Sequence, residues 1–158
     1  MEKPLILVVD DETEIAEGTA RLIKETDEFE ALTANSAKEA LEILHKHNRK
    51  LLPSSNRVRL ILLDIKMPEM DGLQFLQKIR KEYEDQIGII MVTAYEDEEK
   101  WEKATGGYVA GYITKPFAED ELIGTIKRFF SKSDAETSMV LETFSRHIDK
   151  REELKKKE

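Results

Sequence analysis

The chain contains no cysteine. Disulfides, thiolate metal sites and cysteine nucleophiles are therefore excluded. No apolar run approaches the length that spans a bilayer. The first ten residues lack the basic segment followed by a long apolar stretch that marks an export signal. A soluble, cytoplasmic protein is the expectation. An excess of basic residues is also missing, because the net charge is -8, and this argues against a general nucleic-acid surface. There are no internal repeats. No helix-turn-helix, cyclase or phosphodiesterase segment is recognisable, so direct nucleic-acid binding is not expected.

What remains is a chain of 158 residues, enough for one ordinary domain and a little more. A hydrophobic content of 40% can fill a core. The charged content of 37% exceeds the usual quarter, so part of the chain is expected to be strongly solvated.

Apolar runs and helical stripes alternate along the chain. Leu5 to Val9 is a continuous apolar run, read as a strand buried on both faces, and it ends on Asp10-Asp11-Glu12. Ile15, Thr19, Leu22 and Ile23 recur at helical spacing and predict a helix over 13–25. Ala31 to Ala34 is a short second strand. Ser36 and Glu39 form a capping-box pattern that opens a second helix, with Ala40, Leu41 and Leu44 facing inward. His47 to Arg57 is polar and basic, and reads as an extended connection longer than such links usually are. Val58 to Leu63 is a third strand that stops on Asp64, with turn chemistry at Pro68 and Gly72. Gly72 opens a third helix carrying Leu73, Phe75, Leu76 and Ile79. Gly88 to Val92 is a fourth strand ending on Thr93-Ala94, followed by a charged helix over 96–104 with a thin apolar stripe. Tyr108 to Ile113 is a fifth strand ending on Thr114-Lys115-Pro116-Phe117. A last domain helix, 119–130, turns Leu122, Ile123, Ile126, Phe129 and Phe130 inward.

Five strand–helix alternations predict an α/β fold with a parallel sheet, helices on both faces and right-handed crossovers. The domain is expected over 1–131. Residues 132–158 are expected to form a C-terminal amphipathic helical extension or linker, with Met139, Val140, Leu141, Phe144, Ile148 and Leu154 on one stripe.

In a parallel sheet, Asp10-Asp11, Asp64, Thr93 and Lys115 all lie at the carboxyl edge of the strands, where open α/β sheets bind ligands. Three crowded carboxylates repel one another, each pair by roughly 3 kcal/mol at about 5 Å and an effective dielectric near 20. One lysine does not neutralise them all. Hard oxygen donors in an incomplete set suit Mg²⁺, which keeps several waters. Two or three carboxylates, a divalent cation, a lysine and a hydroxyl resemble a phosphoryl-transfer centre.

Four segments in order, Val8-Val9-Asp10-Asp11-Glu12, Asp64 to Gly72, Val92-Thr93-Ala94 and Tyr112 to Phe117, resemble the receiver domain of two-component response regulators. The resemblance covers roughly residues 4–130. It implies a flavodoxin-like, CheY-like three-layer (βα)5 sandwich with strand order 2-1-3-4-5, to which the C-terminal helix is an addition. It also implies that Asp64 accepts a phosphoryl group from a histidine kinase or a histidine phosphotransfer protein. Asp11, Asp64 and the backbone carbonyl of Lys66 would ligate Mg²⁺, with Asp10 assisting. Thr93 and Lys115 would contact the phosphoryl oxygens, Tyr112 would be the switch aromatic, and Pro116 would follow a cis peptide bond. A homodimer through the face of the fourth helix, fifth strand and fifth helix, or through the C-terminal helix, is a further implication. Such a chain is a signalling switch rather than an enzyme. Two rival readings are an interaction module that is never phosphorylated and a Mg²⁺-dependent phosphatase with an aspartyl nucleophile. The phosphatase usually needs a second aspartate two residues past the nucleophile, and that position is Lys66.

Overall fold

The computed structural model describes residues 2–48, 56–64, 72–84, 86–94 and 109–131, with Leu73, Thr93 and Ala94 described by backbone alone. The elements follow one another as β1 (Leu5–Val9), α1 (Thr13–Glu25), β2 (Glu30–Ala34), α2 (Ala37–Lys46), β3 (Val58–Asp64), α3 (Gly72–Tyr83), β4 (Gly88–Ala94), β5 (Gly111–Lys115) and α4 (Glu119–Ser131). The expected helix over 96–104 and the expected extension over 132–158 lie outside the described residues.

The five strands form one sheet in the order β2-β1-β3-β4-β5, and every pairing is parallel. Parallel strands need crossover helices, and helices on both faces require both faces of each central strand to be apolar. The run Leu5 to Val9 meets this requirement and is buried throughout. Alternate residues serve opposite layers, as the period of two dictates. Leu7, Val9, Ile61, Leu63, Ile89 and Met91 pack with α2 and α3 through Leu44, Phe75, Leu76 and Ile79. Ile6, Val8, Leu60, Leu62, Ile90 and Val92 pack with α1 and α4 through Ile23, Leu122, Ile126 and Phe129. Each fully buried side chain of this size contributes about 1.5–3 kcal/mol relative to exposure.

Local chemistry sets the helix boundaries. Ser36 caps α2, its hydroxyl accepting from the Glu39 N–H at 3.0 Å. The return bond of the capping pattern goes to Asn35 rather than to Ser36: the Asn35 N–H donates to Oε2 of Glu39 at 3.0 Å. Gly88 opens β4 beneath the ring of Phe129. A Cβ there would lie 2.3 Å from Cζ of that ring, so only glycine permits this approach of α4 to the sheet.

β5 begins later than the sequence pattern suggests. Val109 and Ala110 are buried ahead of the strand, and the Ala110 N–H donates to the Ile89 carbonyl at 2.7 Å. The pairing with β4 runs from Ile90↔Gly111 to Ala94↔Lys115. Lys115 is thus the last paired residue of the sheet rather than part of the following turn.

The long link between α2 and β3 closes at its neck. Asn48 and Asn56 form an antiparallel bridge, and the Arg57 N–H donates to the His47 carbonyl at 2.8 Å. The buried Asn56 amide donates to the Leu44 carbonyl at 2.7 Å and to Oδ1 of Asn48 at 2.8 Å, while its own Oδ1 accepts from the Val58 N–H at 2.9 Å. Residues 49–55 of this link lie outside the described residues.

Candidate functional site

β1 and β3 are neighbours in register, with Val9 opposite Leu63. Asp10 follows the first and Asp64 ends the second, so adjacency of the two strands brings the two carboxylates to one edge. One oxygen from each of Asp10, Asp11 and Asp64 lies within 4.8 Å of the others. Asp10 is buried, Asp11 is exposed and Asp64 is half-buried.

Asp10 is held on several sides. Its backbone N–H donates to the Ala34 carbonyl at 3.0 Å. Its Oδ1 accepts from the Glu12 N–H at 2.9 Å, and its carbonyl accepts from the Asn35 side-chain amide at 3.0 Å. Asn35 ties the start of α2 to the end of β1. Sequence reasoning missed it, and its only signal was an amide immediately before a helix cap.

Lys115 reaches back across the sheet edge. Its Nζ lies 3.4 Å from Oδ2 of Asp10 and 3.3 Å from Oδ2 of Asp64. Both separations are longer than the roughly 2.7–2.9 Å of a tight charge-assisted bond. The ammonium therefore sits between two carboxylates rather than closing on either. The next peptide bond, Lys115-Pro116, is cis.

The electrostatics follow from this crowding. Burial pushes the Asp10 carboxyl above its ordinary value, and the charge of Asp64 pushes the same way. The Glu12 N–H and Lys115 oppose the rise without cancelling it. Burial alone would lower the Lys115 ammonium, but the carboxylates of Asp64 and Asp10 outweigh burial and hold it above its ordinary value. The lysine supplies one positive charge among three acids.

The donor set fits a hard divalent ion. Carboxylate oxygens that share one small region, with one exposed acid giving access to water, are the oxygen-rich and partly open arrangement that Mg²⁺ takes. Of the other expected site residues, Thr93 lies opposite Thr114 one step beyond the Asp64↔Val92 pair, and its side chain is outside the described portion. Tyr112 is half-buried against the α2–α3 side of the sheet. Lys66 lies outside the described residues.

Comparison with known proteins agrees with the fold. The family model for the response regulator receiver domain matches residues 6–127. The transcriptional regulatory protein CrdR of Helicobacter pylori is 31% identical over 136 residues, covering 86% of this chain and 59% of the relative. The transcriptional regulatory protein SrrA of Staphylococcus aureus is 33% identical over 146 residues, covering 90% of this chain and 54% of the relative. The chain thus spans between 54% and 59% of the length of these relatives. Among solved structures, the response regulator TrrA of Thermotoga maritima in complex with Mg(2+)-BeF is 32% identical, with a TM-score of 0.65 over 80% of this chain and 99% of that one. The chemotaxis response regulator CheY4 of Vibrio cholerae is 28% identical, with a TM-score of 0.65 over 80% of this chain and 98% of that one. A parallel sheet in the order β2-β1-β3-β4-β5, three carboxylates and a lysine at its carboxyl edge, and a family match over most of the chain lead to one conclusion: the chain belongs to the response-regulator receiver family.

Proposed function

We propose that this domain is a phosphorylation-operated switch in which Asp64 takes a phosphoryl group from a histidine kinase or histidine phosphotransfer protein. The observation that carries the reading is the seat of Lys115 between Asp10 and Asp64, at 3.4 and 3.3 Å. An oxygen of Asp64 forms a P–O bond as the P–N bond of the donor phosphohistidine breaks, and the departing imidazole takes up a proton. Asp64 can act as the nucleophile because it ends β3 half-buried at the open edge of the sheet, beside the Lys115 ammonium. Asp10, Asp11, Asp64 and the backbone carbonyl of Lys66 would hold Mg²⁺. When bound, Mg²⁺ supplies the positive charge that three crowded acids and an incoming phosphoryl group require.

Lys115 leaves the carboxylates for a phosphoryl oxygen once Asp64 is esterified, and Thr93 donates its hydroxyl to another. The modification adds close to two negative charges. Tyr112 follows Thr93, and the population shifts between two packings of the signalling face. That face includes β5 and α4. With the expected helix over 96–104, or through the expected C-terminal extension, it would pair with a second copy. The domain works as a signalling module.

Incubation with radiolabelled acetyl phosphate and Mg²⁺ tests this reading. Wild type is expected to retain label in an acid-stable, base-labile acyl phosphate, and Asp64→Asn is expected to retain none. Label on Asp64→Asn equal to wild type would remove Asp64 from the role. Rapid turnover of a phosphoester without retained label would favour the phosphatase, and no label on either protein would favour an interaction module.

A further inference from the structure

α1 contributes a polar residue to an otherwise apolar layer. Thr19 is 9% exposed, in a cluster otherwise built from residues such as Ile6, Val8 and Leu122. Among the described residues its hydroxyl has no hydrogen-bond partner. The Thr19 oxygen is not sealed from solvent, so water can serve as its partner.

The surroundings of Thr19 show where such a water would sit. It lines a cavity of about 20 Å³ that continues into the acid cluster. The polar residues of the lining are Asp10, Asp64, Lys115 and Thr19; the rest are apolar, Phe117 and Leu122 among them. A single buried water needs roughly 10–15 Å³ and two to four polar partners. The cavity meets the first requirement with little to spare and the second with four side chains. The lysine ammonium has three N–H donors. Two face the carboxylates of Asp10 and Asp64, which leaves a third for the cavity.

We propose that this cavity holds one ordered water bridging the Thr19 hydroxyl to the Lys115 ammonium, and that Thr19 is a positioning residue for the lysine. The inference rests on the receiver reading above and adds a residue to it. The water accepts from Nζ and exchanges a hydrogen bond with Oγ1 of Thr19. It thereby fixes the lysine between two carboxylates that each hold it loosely. The ammonium is then oriented before the phosphoryl donor arrives rather than searching among rotamers. Pre-placed charge of this kind lowers the barrier of the transfer step.

Two substitutions at one position separate this role from packing. Thr19→Val keeps the shape and removes the hydroxyl, whereas Thr19→Ser keeps the hydroxyl and opens a methyl-sized gap. If the bridge exists, Thr19→Val takes label from acetyl phosphate about fivefold more slowly, the worth of one hydrogen bond, while Thr19→Ser stays near wild type. A purely structural role predicts the reverse: Thr19→Val melts higher than wild type with an unchanged rate, and Thr19→Ser melts lower. That outcome overturns the proposal. High-resolution crystallography gives a second readout, a water within hydrogen-bond distance of both Thr19 Oγ1 and Lys115 Nζ that is lost in Thr19→Val. If wild type takes no label, the receiver reading falls, and the presence or absence of that water still decides the bridge.

Discussion

Removing the most buried acid of the cluster should make the metal-free protein more stable. In Asp10→Asn, the amide oxygen can still accept from the Glu12 N–H, which now holds Oδ1 at 2.9 Å. The substitution removes the attraction to Lys115 at 3.4 Å, about 5 kcal/mol at an effective dielectric of 20. It also removes repulsion from Asp64 and Asp11, whose nearest grouped oxygens lie within 4.8 Å, about 3 kcal/mol for each pair on the same scale. Asp11 is exposed and its share is screened, so these Coulomb terms nearly cancel. What remains is the desolvation of a carboxylate that is only 4% exposed, and that term favours the amide. A net gain of about 1–2 kcal/mol follows, which at this chain length raises the melting temperature by about 2–4 °C per kcal/mol. The assay is thermal unfolding followed by circular dichroism in EDTA at neutral pH and low salt. Mg²⁺ should reverse the order, because a cation held by the native state stabilises it by mass action and the variant has lost a donor. The pH dependence has a definite sign. The folded-state value of Asp10 is raised above the ordinary 3.8, so the native state holds that proton more tightly than the unfolded chain. Asp10 therefore lowers metal-free stability as pH climbs from 3.8 through the folded value, and the amide flattens that limb. A melting temperature for Asp10→Asn in EDTA at or below that of wild type would refute the reasoning, because the lysine would then more than neutralise its neighbours.

Gly88→Ala should destabilise the fold by about 1–3 kcal/mol, because the new methyl meets the buried Phe129 ring at 2.3 Å and that ring is itself stacked edge-on to Phe130 at 4.8 Å. A denaturation midpoint within error of wild type would mean that α4 lifts off the sheet at little cost. Asn56→Ala should cost about 2–3 kcal/mol, since it strips partners from the Leu44 carbonyl and the Val58 N–H at a buried site, while the rate of labelling by acetyl phosphate stays unchanged. A slower rate would show that the two edges of the sheet are coupled. The stabilising contribution of Lys115, whose folded-state value is raised by Asp64 and Asp10, should be complete below pH 10.5 and lost as pH rises through that higher value. Lys115→Met should abolish this alkaline limb in a melting series.

The strand ends were legible because their chemistry is local. A continuous apolar run that stops on an acid needs no partner to be recognised, and the expected adjacency of β1 and β3 brought Asp10, Asp11 and Asp64 together. Lys115 was legible for the same reason, although β5 was expected to stop at Ile113 and instead pairs as far as Lys115. The residues that hold the site in place were harder to read. Asn35 and Thr19 are an ordinary loop amide and an ordinary helix position until tertiary structure sets one against the Asp10 carbonyl and the other beside the acid cavity. Asn56 looked like one polar residue in a polar link. Its importance arises because the chain returns to within bonding distance of where it left.

The two edges of the sheet differ in how their charges are balanced, and that difference separates stability from function. At the amino edge, the guanidinium of Arg57 is bonded to Glu2, to Glu30 and to the Lys3 carbonyl, and Asn56 uses both its amide donors and its oxygen. A link held by such a neck can be long, because α2 and β3 meet in the same geometry whatever lies between 48 and 56. At the carboxyl edge, Asp10 and Asp64 share one lysine at 3.4 and 3.3 Å, with the exposed acid Asp11 crowded beside them. Proteins retain such local frustration where a ligand or a modification is to relieve it. Here a cation and a phosphoryl group would relieve it in turn, each drawing on electrostatic strain that the opposite edge leaves the fold stable enough to carry.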